Sequence, residues 1–199
     1  MIGIKSIASY VPKKAVDNIH RAESFGESEA FIRNKIGAIK LPLKDEAQET
    51  SDLALNAVTA LLAKNPELNP ANIDALVVIT QNPDGEGLPH TSAVLQHKLG
   101  LTTGVAAFDI SLGCSGYVYG LFALKGFLEA SGLSNGILVT ADPYSKIIDP
   151  VDRVTSLLFG DAATATWLGE NPAWKLDAVG YGTNGSGAEY LCKRQKRLH

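Results

Sequence analysis

Apolar residues along this chain fall into runs of strand length and stretches of helical spacing, and their order predicts an α/β fold. Residues 2–11 (IGIKSIASYV) are rich in β-branched side chains and stop at Pro12, as a first strand does. Residues 50–64 carry Leu53, Ala57 and Leu61 on one row and Ala54, Val58 and Leu62 on the next, a helix with one broad apolar face that Thr50 or Ser51 would cap. Residues 73–80 (IDALVVIT) are almost unbroken in their hydrophobicity, the pattern of a parallel strand buried on both faces. Next come a loop with Pro83, Gly85, Gly87 and Pro89, a helix at 91–99, a strand at 104–110, a helix at 115–131 and a strand at 136–141. The alternation reads βαβαβ.

Two regions are less regular. Residues 17–44 are mixed and polar, with a short helix expected near 27–34, and read as an excursion over the surface. Residues 162–168 and 176–181 are both strand-like and close in sequence, which predicts a hairpin at one edge of the sheet. No internal repeat or low-complexity segment interrupts the chain.

Composition narrows the function classes. The 199 residues are 45% hydrophobic and 20% charged, enough for one substantial core. A formal net charge of −3 leaves no basic surplus to displace counterions, so nucleic acid is not an expected partner. The two cysteines, Cys114 and Cys192, make neither a disulfide framework nor a metal-ligand pattern. The opening MIGIKSIASYV is too short and too polar at Lys5 for a signal peptide, and no run is long enough to span a bilayer. A cytoplasmic protein without a membrane or metal association is expected.

The candidate chemistry lies at 108–116, FDISLGCSG, where a strand turns into a helix with glycines on both sides of Cys114. Glycine at 113 and 116 permits a tight turn and close backbone approach. A cysteine at a helix start meets the positive end of the helix dipole, the setting of many nucleophilic thiols. The same residue type is also often a buried, inert thiol on an α/β scaffold, and spacing alone leaves both readings open. Gly116 and Gly120, one turn apart, allow something to pack closely, such as the same helix of a second subunit.

Three motifs in order, DISLGCSG at 109–116, DPVDRVTSLLFGDAATA at 149–165 and GTNGSGAEYL at 182–191, resemble the β-ketoacyl-acyl carrier protein synthase III family of the thiolase-like superfamily. The resemblance covers nearly the whole chain. It implies an α/β, thiolase-like half of βαβαβ type with a five-stranded mixed sheet. It also implies an acyltransferase whose cysteine takes an acyl group from acyl-coenzyme A and passes it to a malonyl group on acyl carrier protein, with loss of carbon dioxide, in fatty acid or related biosynthesis. By position Cys114 would be the acyl acceptor, and Arg153 would contact coenzyme A, where a planar, permanent charge suits the nucleotide end. The family's adenine-stacking tryptophan aligns with Phe31 and a neighbouring arginine with Lys35. At these positions a staple for the surface segment (Phe31) and a solvated charge (Lys35) are the simpler readings. No permanently bound cofactor is implied, acyl-coenzyme A being a substrate.

The same resemblance makes 1–191 a thiolase-like N-terminal half-domain and 192–199 a basic tail of a truncated or frame-shifted chain. The family's second half supplies a catalytic histidine and asparagine and a glycine N–H that joins the N–H of the cysteine in the oxyanion hole. His20, His90, His97 and His199 do not match that histidine; His90 reads as a loop residue and His97 as a surface residue of a helix. A homodimer, or a partner chain supplying the second half, would complete the site. Residues 82–89 are candidates to shape the acyl pocket. A superfamily acyltransferase with a different acceptor and a non-catalytic acyl-coenzyme A-binding or assembly subunit are the competing readings.

Overall fold

A computed structural model describes residues 1–190. Its strands in chain order are β1 (Ile2–Tyr10), β2 (Ala15–Asp17), β3 (Lys40–Pro42), β4 (Ala75–Ile79), β5 (Ala106–Ile110), β6 (Asn135–Ala141) and β7 (Ala163–Glu170). Its α-helices are α1 (Asn18–Ser24), α2 (Glu29–Phe31), α3 (Thr50–Lys64), α4 (Thr91–Lys98), α5 (Gly116–Ser131) and α6 (Arg153–Ser156). Cys192, His199, Leu191 and the basic tail lie outside the described residues.

The main sheet runs β1-β7-β6-β4-β5. β4 is parallel to both β5 and β6, while β7 runs antiparallel to β6 and β1, so the sheet is five-stranded and mixed as expected. All five residues of β4 are buried because a layer covers each of its faces. Leu76 and Val78 meet Leu53, Ala57, Val58 and Leu61 of α3 on one side. Ala75, Val77 and Ile79 meet Leu121, Leu124 and Leu128 of α5 on the other. Each fully buried leucine contributes about 1.5–3 kcal/mol relative to an exposed one, so these two layers dominate the fold's stability.

Four expectations change. The N-cap of α3 is Glu49, in a capping box with Asp52, rather than Thr50 or Ser51. Thr50 and Ser51 are already inside the helix, and their hydroxyls reach outward to Asn82 and Asp84. Residues 176–181 form no strand; β7 already has β1 on one edge and β6 on the other, so no edge remains for a hairpin partner. Instead Trp174 bridges to Ile4 of β1.

Third, Gly116 and Gly120 do not await a second helix. A Cβ on either would collide with Ile79, and one on Gly120 would also touch Leu138, so this glycine pair seats α5 on its own sheet. Fourth, the 17–44 excursion is more than a surface segment. It carries α1, α2, a π-helical turn at Ile32–Ile36 and the β2–β3 ladder. It is also anchored, for the buried Asn18 amide donates to the carbonyls of Ala38 (2.8 Å) and Leu157 (2.9 Å). Among the described residues no helix is long and apolar enough to cross a membrane.

Candidate active site

Three parallel strands, β6, β4 and β5, end on the same side of the sheet, and the residues that follow them converge there. Outside the carboxyl ends of parallel strands is where open α/β sheets bind ligands. After β5 the backbone turns through Gly113 to Ser115 and enters α5, with the N–H of Gly116 donating to the carbonyl of Gly113 (2.8 Å). Cys114 is exposed in this turn. Its own N–H makes no hydrogen bond among the described residues, and Ser115 caps the helix without a side-chain bond. The thiol and the N–H beside it are therefore available to a ligand.

The neighbouring strand ends are tied together by Asp142, which directly follows β6. One oxygen of its carboxylate accepts from the Thr80 hydroxyl (3.4 Å), the Gln81 N–H (3.2 Å) and the Asn82 amide (2.5 Å), all in the segment that follows β4. Burial pushes the Asp142 carboxyl above its ordinary range despite these donors. Tyr144 is pushed up as well, first by burial and then by the nearby Asp142 carboxylate. Its ring stacks on Phe159 at 4.6 Å between centroids and 13° between planes.

Deeper in, Asp109 of β5 accepts from the N–H groups of Thr91 (2.7 Å) and Ser92 (2.8 Å) at the start of α4. The fully buried Asp161 accepts from the N–H of Lys44 (2.9 Å) and from both the N–H (3.0 Å) and hydroxyl (2.5 Å) of Ser145. These carboxylates hold the loops that surround the strand ends.

The other residues singled out by sequence lie on a neighbouring pair of segments. Arg153, half exposed at the start of α6, forms an ion pair with Glu27. Phe31 is half-buried against the small cluster of Ala22, Ile32 and Leu157, and Lys35 is exposed in the π-helical turn. Leu157 comes from the Arg153 segment, so the structure brings Phe31 and Arg153 onto joined elements. Phe159, two residues beyond Leu157, joins the same segment to Tyr144 after β6. His90 is the N-cap residue of α4 and His97 lies exposed within that helix. The surface hollow lined by Tyr10, Pro12, Lys13, Leu43 and Gln48 contains none of these site residues. No cluster of metal-binding side chains exists among the described residues.

Asp142, Tyr144, Gln81 and Phe159 were not expected from the sequence. The signal available for Asp142 was its position, a carboxylate set immediately after a buried strand of a parallel set.

The chain is similar to known proteins along nearly its whole length. The family model for 3-oxoacyl-[acyl-carrier-protein] synthase III matches residues 108–185, which run from the cysteine strand to the glycine-rich segment. Beta-ketoacyl-[acyl-carrier-protein] synthase III of Caldanaerobacter subterraneus subsp. tengcongensis is 35% identical over 190 residues, 95% of this chain and 56% of that protein. The Staphylococcus epidermidis protein of the same name is 34% identical over 191 residues, 96% of this chain and 60% of its own length. Among solved structures, a 3-oxoacyl-(acyl-carrier-protein) synthase III superposes with a TM-score of 0.86 at 34% identity, over 96% of this chain and 57% of that one. The synthase III from Thermus thermophilus gives 0.84 at 32% identity, over 98% and 60%. The chain thus spans a little over half the length of these relatives. In sequence, in the matched segment and in its thiolase-like fold, this chain is similar along nearly its whole length to 3-oxoacyl-[acyl-carrier-protein] synthase III proteins.

Proposed function

We propose that Cys114 is the acyl-accepting nucleophile of a 3-oxoacyl-acyl carrier protein synthase III-type acyltransferase. The observation that carries this reading is the exposed thiol in a glycine-flanked strand-to-helix turn, at the ends of three parallel strands and inside the segment matched by the family model. In the first half-reaction Sγ attacks the thioester carbonyl of acyl-coenzyme A. The carbon–sulfur bond to coenzyme A breaks, its thiolate leaves and takes up a proton, and the acyl group remains on Cys114 as a new thioester. The Cys114 N–H, without a protein partner among the described residues, is suited to stabilise the tetrahedral oxyanion.

Arg153 and Phe31 are the proposed contacts for coenzyme A, with Lys35 beside them. Arg153 would exchange its exposed ion pair with Glu27 for a phosphate, a modest cost because such surface pairs contribute about 0–1 kcal/mol. Condensation with a malonyl group on acyl carrier protein is the proposed second half-reaction. The resemblance assigns its decarboxylation to a histidine and an asparagine beyond the span shared with this chain. Incubation with acetyl-coenzyme A followed by intact mass spectrometry tests the first step: an acetyl adduct on the wild-type chain and none on Cys114→Ala is expected.

A further inference from the structure

The groups around Cys114 include one whose hydrogen bonds the acyl-transfer step does not use. Asp142 gathers three donors on a single carboxylate oxygen, and all three come from the residues that follow β4. Those residues in turn grip the cysteine turn from two sides. The N–H of Thr80 donates to the carbonyl of Ile110 (3.2 Å), the last residue of β5, which also accepts from the N–H of Leu112 (3.1 Å). The Gln81 side chain lies directly on Gly113: a Cβ built on Gly113 would stand 2.6 Å from its amide oxygen and 3.2 Å from its amide carbon. A side chain at 113 would displace the Gln81 amide from this seat, so glycine here lets Gln81 rest against the backbone of the turn. The Thr80 hydroxyl also accepts from the Asn82 N–H (3.0 Å), and the Thr50 hydroxyl donates to the Asn82 carbonyl, so the segment is held from α3 too.

From this geometry we infer that Asp142 is a positioning residue: it clasps Thr80–Asn82, and through Gln81 on Gly113 it fixes the backbone of the turn that presents Cys114. The inference rests on the reading of Cys114 as the nucleophile only for its catalytic meaning; the clasp itself is a statement about the turn. An acceptor is what the clasp needs. A neutral amide at 142 can still present one oxygen to the same three donors, whereas alanine presents none.

Hydrogen–deuterium exchange tests it on the full chain. The reporters are the amides of Leu112 and Gly116, both hydrogen bonded within the turn, with the amides of α3 as reference. Loss of the clasp in Asp142→Ala should speed exchange at the two reporters about tenfold, the effect of one buried hydrogen bond, and leave α3 within about twofold of wild type. Asp142→Asn should restore protection to within about twofold. Gln81→Ala keeps all three bonds to Asp142 and removes only the contact on Gly113; it should speed the same amides about threefold or more, which keeps the test open if Asp142→Ala does not fold.

Unchanged reporters in either alanine variant, an Asn variant as fast as the alanine one, or acceleration spread equally into α3 would overturn the inference. Acetyl transfer to Cys114, followed in the same variants by intact mass, should slow about tenfold in Asp142→Ala and recover in Asp142→Asn. A wild-type chain that takes no acetyl group would refute the proposed function while leaving the exchange result to decide on the clasp.

Discussion

Gly120 of α5 stands where any side chain would run into Ile79 of β4, so the helix that begins beside Cys114 is set by contact with the strand whose following residues face that same cysteine. Two opposing effects bear on a substitution there. Alanine gains about 1 kcal/mol over glycine inside a helix, while an extra carbon forced into a packed layer costs about 1–3 kcal/mol. With both Ile79 and Leu138 in the way, the second effect wins. Gly120→Ala is therefore expected to lose about 1–2 kcal/mol in denaturant unfolding. Gly126, on the same helix with nothing within 4 Å of a built Cβ, is the control, and Gly126→Ala is expected to gain up to about 1 kcal/mol.

Asp109 gives a second prediction. Its two oxygens satisfy the N–H groups of Thr91 and Ser92, which the first turn of α4 cannot satisfy internally. Asp109→Ala should lower stability by about 1–3 kcal/mol, and Asp109→Asn, which keeps one acceptor, should lose less. Chemical denaturation of the three proteins checks the order. Equal stabilities would mean that the α4 start is held by other contacts.

The acid limb of stability should carry opposite contributions from two aspartates. Burial alone would raise the Asp52 carboxyl, but the Glu49 N–H and the Lys98 ammonium outweigh it and hold the group below its ordinary value of 3.8. The unfolded chain then binds this proton more readily than the folded one. Asp52 thus stabilises the fold above about pH 4, and the contribution is lost as pH falls through the lowered folded value. Asp142, pushed up by burial, has the reverse sign: its ionisation opposes folding at neutral pH, and the penalty is relieved as pH falls through the raised value. In urea unfolding from about pH 3 to about pH 7, Asp52→Asn should be less stable than wild type at neutral pH, with the gap closing in acid. Asp142→Asn should equal or exceed wild type at neutral pH, its advantage also fading in acid. A gap for Asp52→Asn that stays constant across the range would contradict this assignment.

What could be read ahead of the structure follows from which forces are local. α3 and β4 were legible because their burial is written in consecutive residues, one broad face in the helix and both faces in the strand. The partner of β7 was not, because strand pairing depends on edges occupied by residues far away: β1 opens the chain yet pairs with β7, and that pairing leaves residues 176–181 without a strand partner. The β2–β3 ladder of three residue pairs is too short to leave a periodic trace. At the site, Cys114 stood out because glycines flank it in one turn. Asp142, Gln81 and Tyr144 did not, since Asp142 and Tyr144 follow β6 while Gln81 follows β4, and only the parallel register of β6, β4 and β5 brings those ends beside the cysteine turn. The glycines themselves were only partly understood: Gly116 and Gly120 looked outward to a second helix and in fact face inward to Ile79.

The central claim is that Cys114 accepts an acyl group, and intact mass spectrometry after incubation with acetyl-coenzyme A tests it most directly. The account predicts a single acetyl adduct on the wild-type chain, released by hydroxylamine as a thioester is, and absent from Cys114→Ala. An adduct that persists in Cys114→Ala, or a wild-type chain that remains unmodified, would contradict it.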